Sequence, residues 1–153
     1  RYDIVRLGMN GRLDTLQAAV LLAKLEIFDD EIQRRRAVAH RYTERLSGLL
    51  ETPAQLPGTD STWAQYTIKL PHRDAIAASP RANGIPTQIY YPLPMHLQPA
   101  YAWHGGGQGS LPVSEQLCEQ VLALPMHPYL EDADIHIICD GIRDGLQTAG
   151  VAG

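Results

Sequence analysis

The sequence predicts an α+β fold in which two long helices open the chain and a small sheet covered by helices follows. Three observations carry this prediction. Apolar residues recur at steps of three and four over residues 13–27 and again over 39–49, the period of a helix face. The stretch WAQYTIKL at 63–70 alternates instead, the period of a half-buried strand. From there to the end, strand-like and helix-like segments take turns, which suits a layered arrangement. At 153 residues the chain is long enough for one real core, since a domain near this size buries roughly 68–70% of the surface its unfolded chain exposes.

The elements follow in order. Leu13, Leu16, Val20, Ala23 and Ile27 define one face of the first helix, and Asp14 stands in its first turn, where a carboxylate meets the positive end of the helix dipole. Asp29 or Asp30 is the expected cap of a second helix, whose apolar positions Ala39, Tyr42, Leu46 and Leu49 carry it to about residue 48 or 50. Residues 51–62 turn to Pro, Gly, Ser and Thr, a surface loop. In the strand after it, Ala64, Tyr66, Ile68 and Leu70 face one way, and Pro71 closes it. RDAIAAS is a short helix that Pro80 weakens and NGIP stops; TQIYY at 87–91 is expected as a second strand. The prolines between 92 and 99 prevent long regular structure, and HGGGQGS at 104–110 has the composition of a mobile loop tip. Val113, Leu117, Cys118 and Val121 resume the helical period, LALPMHPYL is a short strand running into a turn, and a last helix from Asp132 to about Leu146 presents Ile135, Ile138, Cys139, Ile142 and Leu146 on one face.

Composition narrows the function. Thirteen basic against seventeen acidic residues leave a net charge of −4, with no basic stripe, so nucleic acid is not an expected partner. The RRR run at 34–36 follows DDE at 29–31 by about a turn and is expected to form a solvated, charge-paired helix face. Two cysteines without CxxC spacing, Cys118 and Cys139, are expected as reduced core residues, in keeping with a cytoplasmic location. No stretch approaches the ~18 apolar residues of a membrane span, and RYDIVRLG lacks a signal peptide's apolar centre. The chain does not start with Met and is expected to be part of a longer protein.

No complete catalytic set stands out. The six histidines show no metal-ligand spacing, and a P-loop, GxGxxG and GxSxG are all missing, so no metal site is expected. Two places are nonetheless more specific than a core requires. Asn10 and Arg12, set among Gly8 and Gly11, offer an amide and a guanidinium at a helix N-terminus, a place suited to an anion; the simpler reading is that Asn10 is a turn or cap residue. YYPLPMHLQPAY at 90–101 gathers Tyr90, Tyr91, His96 and Tyr101 on a proline-stiffened loop, which can equally be a well-packed aromatic loop.

Both places belong to one pattern. GMNGRLDTLQAAVLLAKL at 8–25, RRRAVAHRYTERL at 34–46, YYPLPMHLQPAY at 90–101, LPVSEQLCEQVLALPMHPYL at 111–130 and LEDADIHIICDGI at 130–142 resemble, in order and approximate spacing, the C-terminal part of the DegT/DnrJ/EryC1/StrS family of pyridoxal phosphate-dependent sugar aminotransferases. The resemblance implies the C-terminal domain of a type I aminotransferase-like fold with a mainly antiparallel sheet. Residues 1–50 would form the opening helices with the cofactor-phosphate turn and dimer interface, and 51–153 a small α+β domain. It implies that Asn10 reaches across a homodimer interface to the phosphate of the neighbouring subunit's cofactor, with Arg12 close by, and that His96, in a motif completed by Gln98 and Tyr101, lies near the sugar nucleotide. Tyr90 stands where many members have His, a departure that bears on the substrate. The family's Schiff-base lysine, the acid that pairs with the pyridine nitrogen and the aromatic that stacks on the ring lie upstream of this chain, and Lys24 and Lys69 do not match the lysine motif.

The expected function is therefore that of a C-terminal domain whose full-length parent moves an amino group, most often from glutamate, to a nucleotide-linked keto sugar. The pathway would be polysaccharide (lipopolysaccharide or O-antigen) or antibiotic sugar synthesis, and the chain alone would be inactive and without bound pyridoxal phosphate. Two alternatives stay open at this point: a dehydratase of the same family, with His in place of the lysine, and a non-catalytic dimerisation module.

Overall fold

A computed structural model describes residues 11–104 and 106–151. Helix α1 spans Thr15–Leu25, and its start is set by Asp14, whose carboxylate accepts the Leu16 N–H at 2.9 Å. Asp14 is thus the cap itself, one position ahead of the first turn. The expected apolar face exists but stays exposed: Leu13, Leu16 and Val20 are 71%, 79% and 60% exposed, and no residue of α1 is buried.

Helix α2 spans Phe28–Leu46 and begins earlier than expected. Its N-cap is Ile27, with no side-chain cap, and Asp29, Asp30 and Glu31 instead fill the first turn, where they favour the helix through its dipole. Leu46 ends it, so Leu49 falls outside the helix and is exposed. Val38, Ala39, Tyr42 and Leu46 form the buried face. The arginine run is only partly a solvated face. Arg34 pairs with Asp30 one turn back, but Arg35 turns inward and donates to the carbonyls of Trp63 and Met126 at 3.2 and 3.3 Å, and Arg36 reaches Asp60.

The sheet is small and antiparallel. Strand β1, Tyr66–Lys69, pairs with β2, Val121–Leu124, in the register Tyr66 opposite Leu124 and Lys69 opposite Val121. Alternation holds in β1, with Tyr66 and Ile68 buried, and fails in β2, where Leu122, Ala123 and Leu124 are all buried. A strand covered on both faces reads as a continuous apolar run. The expected strand at 87–91 shrinks to one bridge: Gln88 exchanges both backbone hydrogen bonds with Ala123, at 3.0 and 2.8 Å. Pro86 lacks a donor on one side, and on the other Tyr91 has φ +57° ahead of Pro92, so the extended ladder cannot continue.

Helix α3, Arg73–Ala82, accommodates Pro80 in its last turn and ends at Asn83. Two short 3₁₀ turns, Met95–Leu97 and Pro99–His104, occupy the proline-rich stretch. Helix α4, Pro112–Gln120, leads directly into β2, and α5, Asp132–Thr148, closes the fold behind a capping box formed by Glu131 and Asp134. All five predicted positions of α5 (Ile135, Ile138, Cys139, Ile142 and Leu146) are buried. They pack with Tyr42 and Leu46 of α2, Ile76 and Ala77 of α3, and the inward residues of the sheet in one core. Helices α3 and α5 lie so close at Gly145 that a Cβ there would stand 2.5 Å from the Ile76 carbonyl oxygen, which is why this position takes glycine. Cys139 joins the core as expected, whereas Cys118 is only half-buried; both are free thiols. Among the described residues no helix is long and apolar enough to cross a membrane.

Candidate functional site

Two groups of candidate residues stand on separate elements. The first is the turn ahead of α1. Asn10 and Gly8 lie outside the described residues, so the account of this turn starts at Gly11. An added Cβ on Gly11 would meet nothing within 4 Å, and Arg12 is exposed. The Leu16 N–H at the positive end of α1 is already bonded to the Asp14 carboxylate. Arg12 in this turn carries a donor-only guanidinium whose planar fork matches phosphate oxygens. In that respect the donor set fits a phosphate. Gly11, Arg12, Leu13 and Asp14 are all exposed.

The second group is the proline-rich loop between the bridge at Gln88 and α4. Pro94 is buried and anchors it, and the Leu97 N–H closes onto the Pro94 carbonyl at 3.0 Å. Gln98 folds back on the same loop, its side chain donating to the Leu93 carbonyl at 3.3 Å, and its own carbonyl accepts the Tyr101 N–H at 2.9 Å. The 3₁₀ turns thus bring His96, Gln98 and Tyr101 onto one short, internally bonded segment. Tyr90, Tyr91, Tyr101 and Trp103 are left 40–75% exposed, an unusual density of aromatic surface for one loop. Tyr90 lies at the start of this segment, directly ahead of the left-handed Tyr91.

His96 is the most constrained of them. Its Nε2 lies 2.9 Å from Oε1 of Glu115 in the first turn of α4, and both side chains are largely buried, 12% and 17% exposed. The same carboxylate accepts the Gly109 N–H on both oxygens, at 2.9 and 2.8 Å, and the Leu111 N–H at 3.2 Å. The residues expected to be a mobile loop tip are therefore tied to α4 at their end, the physical reason being this largely buried acceptor. The Gly109 N–H first, then His96, holds the Glu115 carboxyl below its ordinary value of 4.5. Glu115 was not among the residues singled out from the sequence. The available signal was an acid three residues after Pro112, a helix-start position following a glycine-rich loop that needs acceptors.

Other side chains are engaged in the fold. Lys24 pairs with Glu31 at 3.6 Å and Lys69 with Glu51 at 2.9 Å. The Cys139 thiol is pushed up to about 11 by burial, which removes it as a nucleophile. In the cleft beside His72 and Glu119, the buried Arg73 is held by the Cys118 carbonyl at 2.5 Å and by Asp74. Among the described residues no cluster of His, Cys, Asp and Glu is placed to hold a metal.

The chain is similar to known proteins over most of its length. Residues 1–143 match the model of the DegT/DnrJ/EryC1/StrS aminotransferase family. Over 145 residues the chain is 46% identical to a UDP-2-acetamido-2-deoxy-3-oxo-D-glucuronate aminotransferase of Pseudomonas aeruginosa, covering 94% of this chain and 40% of that protein. It is 39% identical to a dTDP-3-amino-3,4,6-trideoxy-alpha-D-glucose transaminase of Streptomyces venezuelae, covering 94% and 38%. Among solved structures it superposes on a DegT DnrJ EryC1 StrS aminotransferase from Brucella abortus with a TM-score of 0.83 at 49% identity, covering 94% of this chain and 39% of that one. On S. venezuelae DesV the TM-score is 0.84 at 39% identity, with the same coverage. The chain spans about 40% of the length of the relatives it matches.

Proposed function

This chain belongs to the DegT/DnrJ/EryC1/StrS aminotransferase family, and from that premise we propose that it is the C-terminal part of a pyridoxal phosphate-dependent enzyme that transfers an amino group to a nucleotide-linked keto sugar. The observation that carries the proposal is the family match across residues 1–143, together with relatives named for amino transfer on UDP- and dTDP-linked sugars. The higher identity to the P. aeruginosa relative, named for a UDP-linked sugar, than to the S. venezuelae one, named for a dTDP-linked sugar, favours a UDP-linked substrate; the proposed context is polysaccharide or antibiotic sugar synthesis. Glutamate is the proposed amino donor and the cytoplasm the proposed location.

When bound, pyridoxal phosphate supplies the carbon that accepts the donor's amino group and a ring that withdraws electrons from it. The residues of this chain would bind and orient. Asn10 and Arg12 would donate to the phosphate in the site of a second copy; the guanidinium chemistry of Arg12 supports this, as does the α1 surface, whose Leu16 and Val20 are apolar and exposed. His96 would contact the sugar nucleotide, with Tyr90 and Tyr101 beside it on the stiffened loop. Lys24 and Lys69 are each engaged in an ion pair, with Glu31 and Glu51, which supports placing the Schiff-base lysine in another part of the parent and reading this chain alone as inactive.

The test is to incubate the full-length protein with ¹⁵N-glutamate and UDP- or dTDP-linked 3-keto sugars and to examine the product by mass spectrometry. Amino transfer predicts a sugar nucleotide carrying ¹⁵N. Loss of a hydroxyl without gain of nitrogen would instead identify a dehydratase, and no turnover of any keto sugar would favour a dimerisation module. In the same assay His96→Ala is expected to lower kcat/KM for the sugar nucleotide by about 0.5–3 kcal/mol, the range for one hydrogen bond to a neutral or charged partner. A lowered melting temperature with unchanged kinetics would return His96 to a packing role.

A further inference from the structure

We infer that Glu115 is a positioning residue: by holding His96 through Nε2 and the glycine-rich loop through the Gly109 and Leu111 N–H groups, it leaves His96 Nδ1 as the ring atom offered to a sugar hydroxyl. The inference rests on the reading of His96 as a substrate contact given above, and adds which atom makes that contact, what fixes it and which second loop belongs to the site.

The geometry gives the reasoning. An ionised carboxylate only accepts hydrogen bonds, so an Nε2 lying 2.9 Å from Glu115 Oε1 must carry the proton. In a neutral imidazole the other nitrogen then has the lone pair, and Nδ1 is an acceptor. No described residue bonds to Nδ1. A sugar hydroxyl can donate to it, whereas a diphosphate oxygen cannot. Glu115 is itself fixed. It stands one turn into α4, behind Pro112 at the first helical position, and three separate donors converge on its carboxylate. Both loops that meet there are shaped for it. Gly109 takes φ +89°, a backbone conformation that aims its N–H at the carboxylate and that side chains rarely adopt. Gly106, at φ +84°, would bring a Cβ within 3.1 Å of Ser110 Oγ. One largely buried acid therefore ties the His96 turn, Gly109 and Leu111 to a helix, the arrangement that holds a site residue in a productive geometry.

The two carboxylate oxygens are not equivalent. Among the described residues Oε1 accepts from His96, Gly109 and Leu111, while Oε2 accepts from Gly109 alone. Glu115→Gln can therefore keep its carbonyl oxygen on all three donors and lose one bond, whereas Glu115→Ala loses every one.

The experiment uses full-length protein with ¹⁵N-labelled histidine rings, the His96 resonances being assigned by their disappearance in His96→Ala. The ring is expected to be protonated at Nε2 in the unaltered protein and in Glu115→Gln, and to lose that preference in Glu115→Ala. In kinetics, Glu115→Ala should lower kcat/KM for the sugar nucleotide about 10-fold or more, Glu115→Gln should retain it within about 3-fold, and Glu115→Ala added to His96→Ala should cost nothing further. An unchanged tautomer in Glu115→Ala, or losses that multiply in the double variant, would overturn the role of Glu115 while leaving the reading of His96 standing. Unchanged kinetics in His96→Ala would overturn the substrate reading itself, and the catalytic consequence of Glu115 with it. Melting temperatures of all variants separate either result from simple unfolding, and Glu115→Gln, which keeps the acceptor, serves should Glu115→Ala fail to fold.

Discussion

Ile142→Ala is expected to destabilise the protein by about 2–5 kcal/mol, the range for truncating a fully buried isoleucine into a packed core. Ile142 is 0% exposed at the centre of α5, and the layer around it has little freedom to collapse into the gap. One reason lies one turn further along: Gly145 presses directly against the Ile76 backbone of α3, so α3 is already as close to α5 as main-chain contact allows. The matching control is Ile137→Ala on the same helix, 60% exposed, where the change should stay within about 0.5 kcal/mol. Thermal unfolding of the two variants side by side decides the matter. Equal losses would mean that α5 does not carry the core through its Ile142 face.

Asn10→Ala should act on the cofactor and hardly on folding. A hydrogen bond from its amide to an ionised phosphate is worth about 1.5–3 kcal/mol, so the dissociation constant for pyridoxal phosphate in the full-length protein is expected to rise by roughly 10- to 150-fold. The surroundings support a small folding effect. Arg12 and Gly11 beside it are exposed, and the cap of α1 is made by Asp14. An unchanged cofactor affinity with a lowered melting temperature would make Asn10 a turn residue and leave Arg12 alone at the phosphate.

Much of this fold is legible in the sequence where an element's partner lies within the chain. The α5 face could be read residue by residue because five apolar positions at helical spacing all meet the same core, and Tyr66 and Ile68 alternate because β1 has one face inside. Where the outcome depends on what covers an element, local pattern is silent. Leu16 and Val20 have the same period whether their cover is in this chain or another, and here they stay exposed. TQIYY has strand composition, yet a strand also needs a ladder, and only Gln88 finds one because Pro86 and Tyr91 bracket it. The start of α2 was misplaced because an aspartate serves equally as a cap or in the first turn, and Ile27 gave no signal at all.

The candidate site divides in the same way. His96 is visible through the family resemblance of its loop, a property of consecutive residues. Its partner Glu115 stands 19 residues away on another helix, and the glycine-rich loop read as mobile precisely where tertiary contact ties it down. That contact depends on α4 being placed under the loop. Arg35 is a similar case: it belongs to a charged run by composition, but its two carbonyl partners come from Trp63 and Met126, both far along the chain.

The central claim is that residues of this chain complete a cofactor site in a second copy, and mixed dimers test it most directly. One full-length chain carries Asn10→Ala; the other has normal Asn10 but lacks the proposed Schiff-base lysine. Each homodimer should be weak or inactive at limiting pyridoxal phosphate. If Asn10 acts across the interface, the mixed dimer contains one site with an intact lysine from the first chain and an intact Asn10 from the second, and amino transfer to the keto sugar nucleotide should return. Activity that stays at the level of the Asn10→Ala homodimer, in preparations where mixed dimers are shown to form, would contradict the claim and place Asn10 in the site of its own chain.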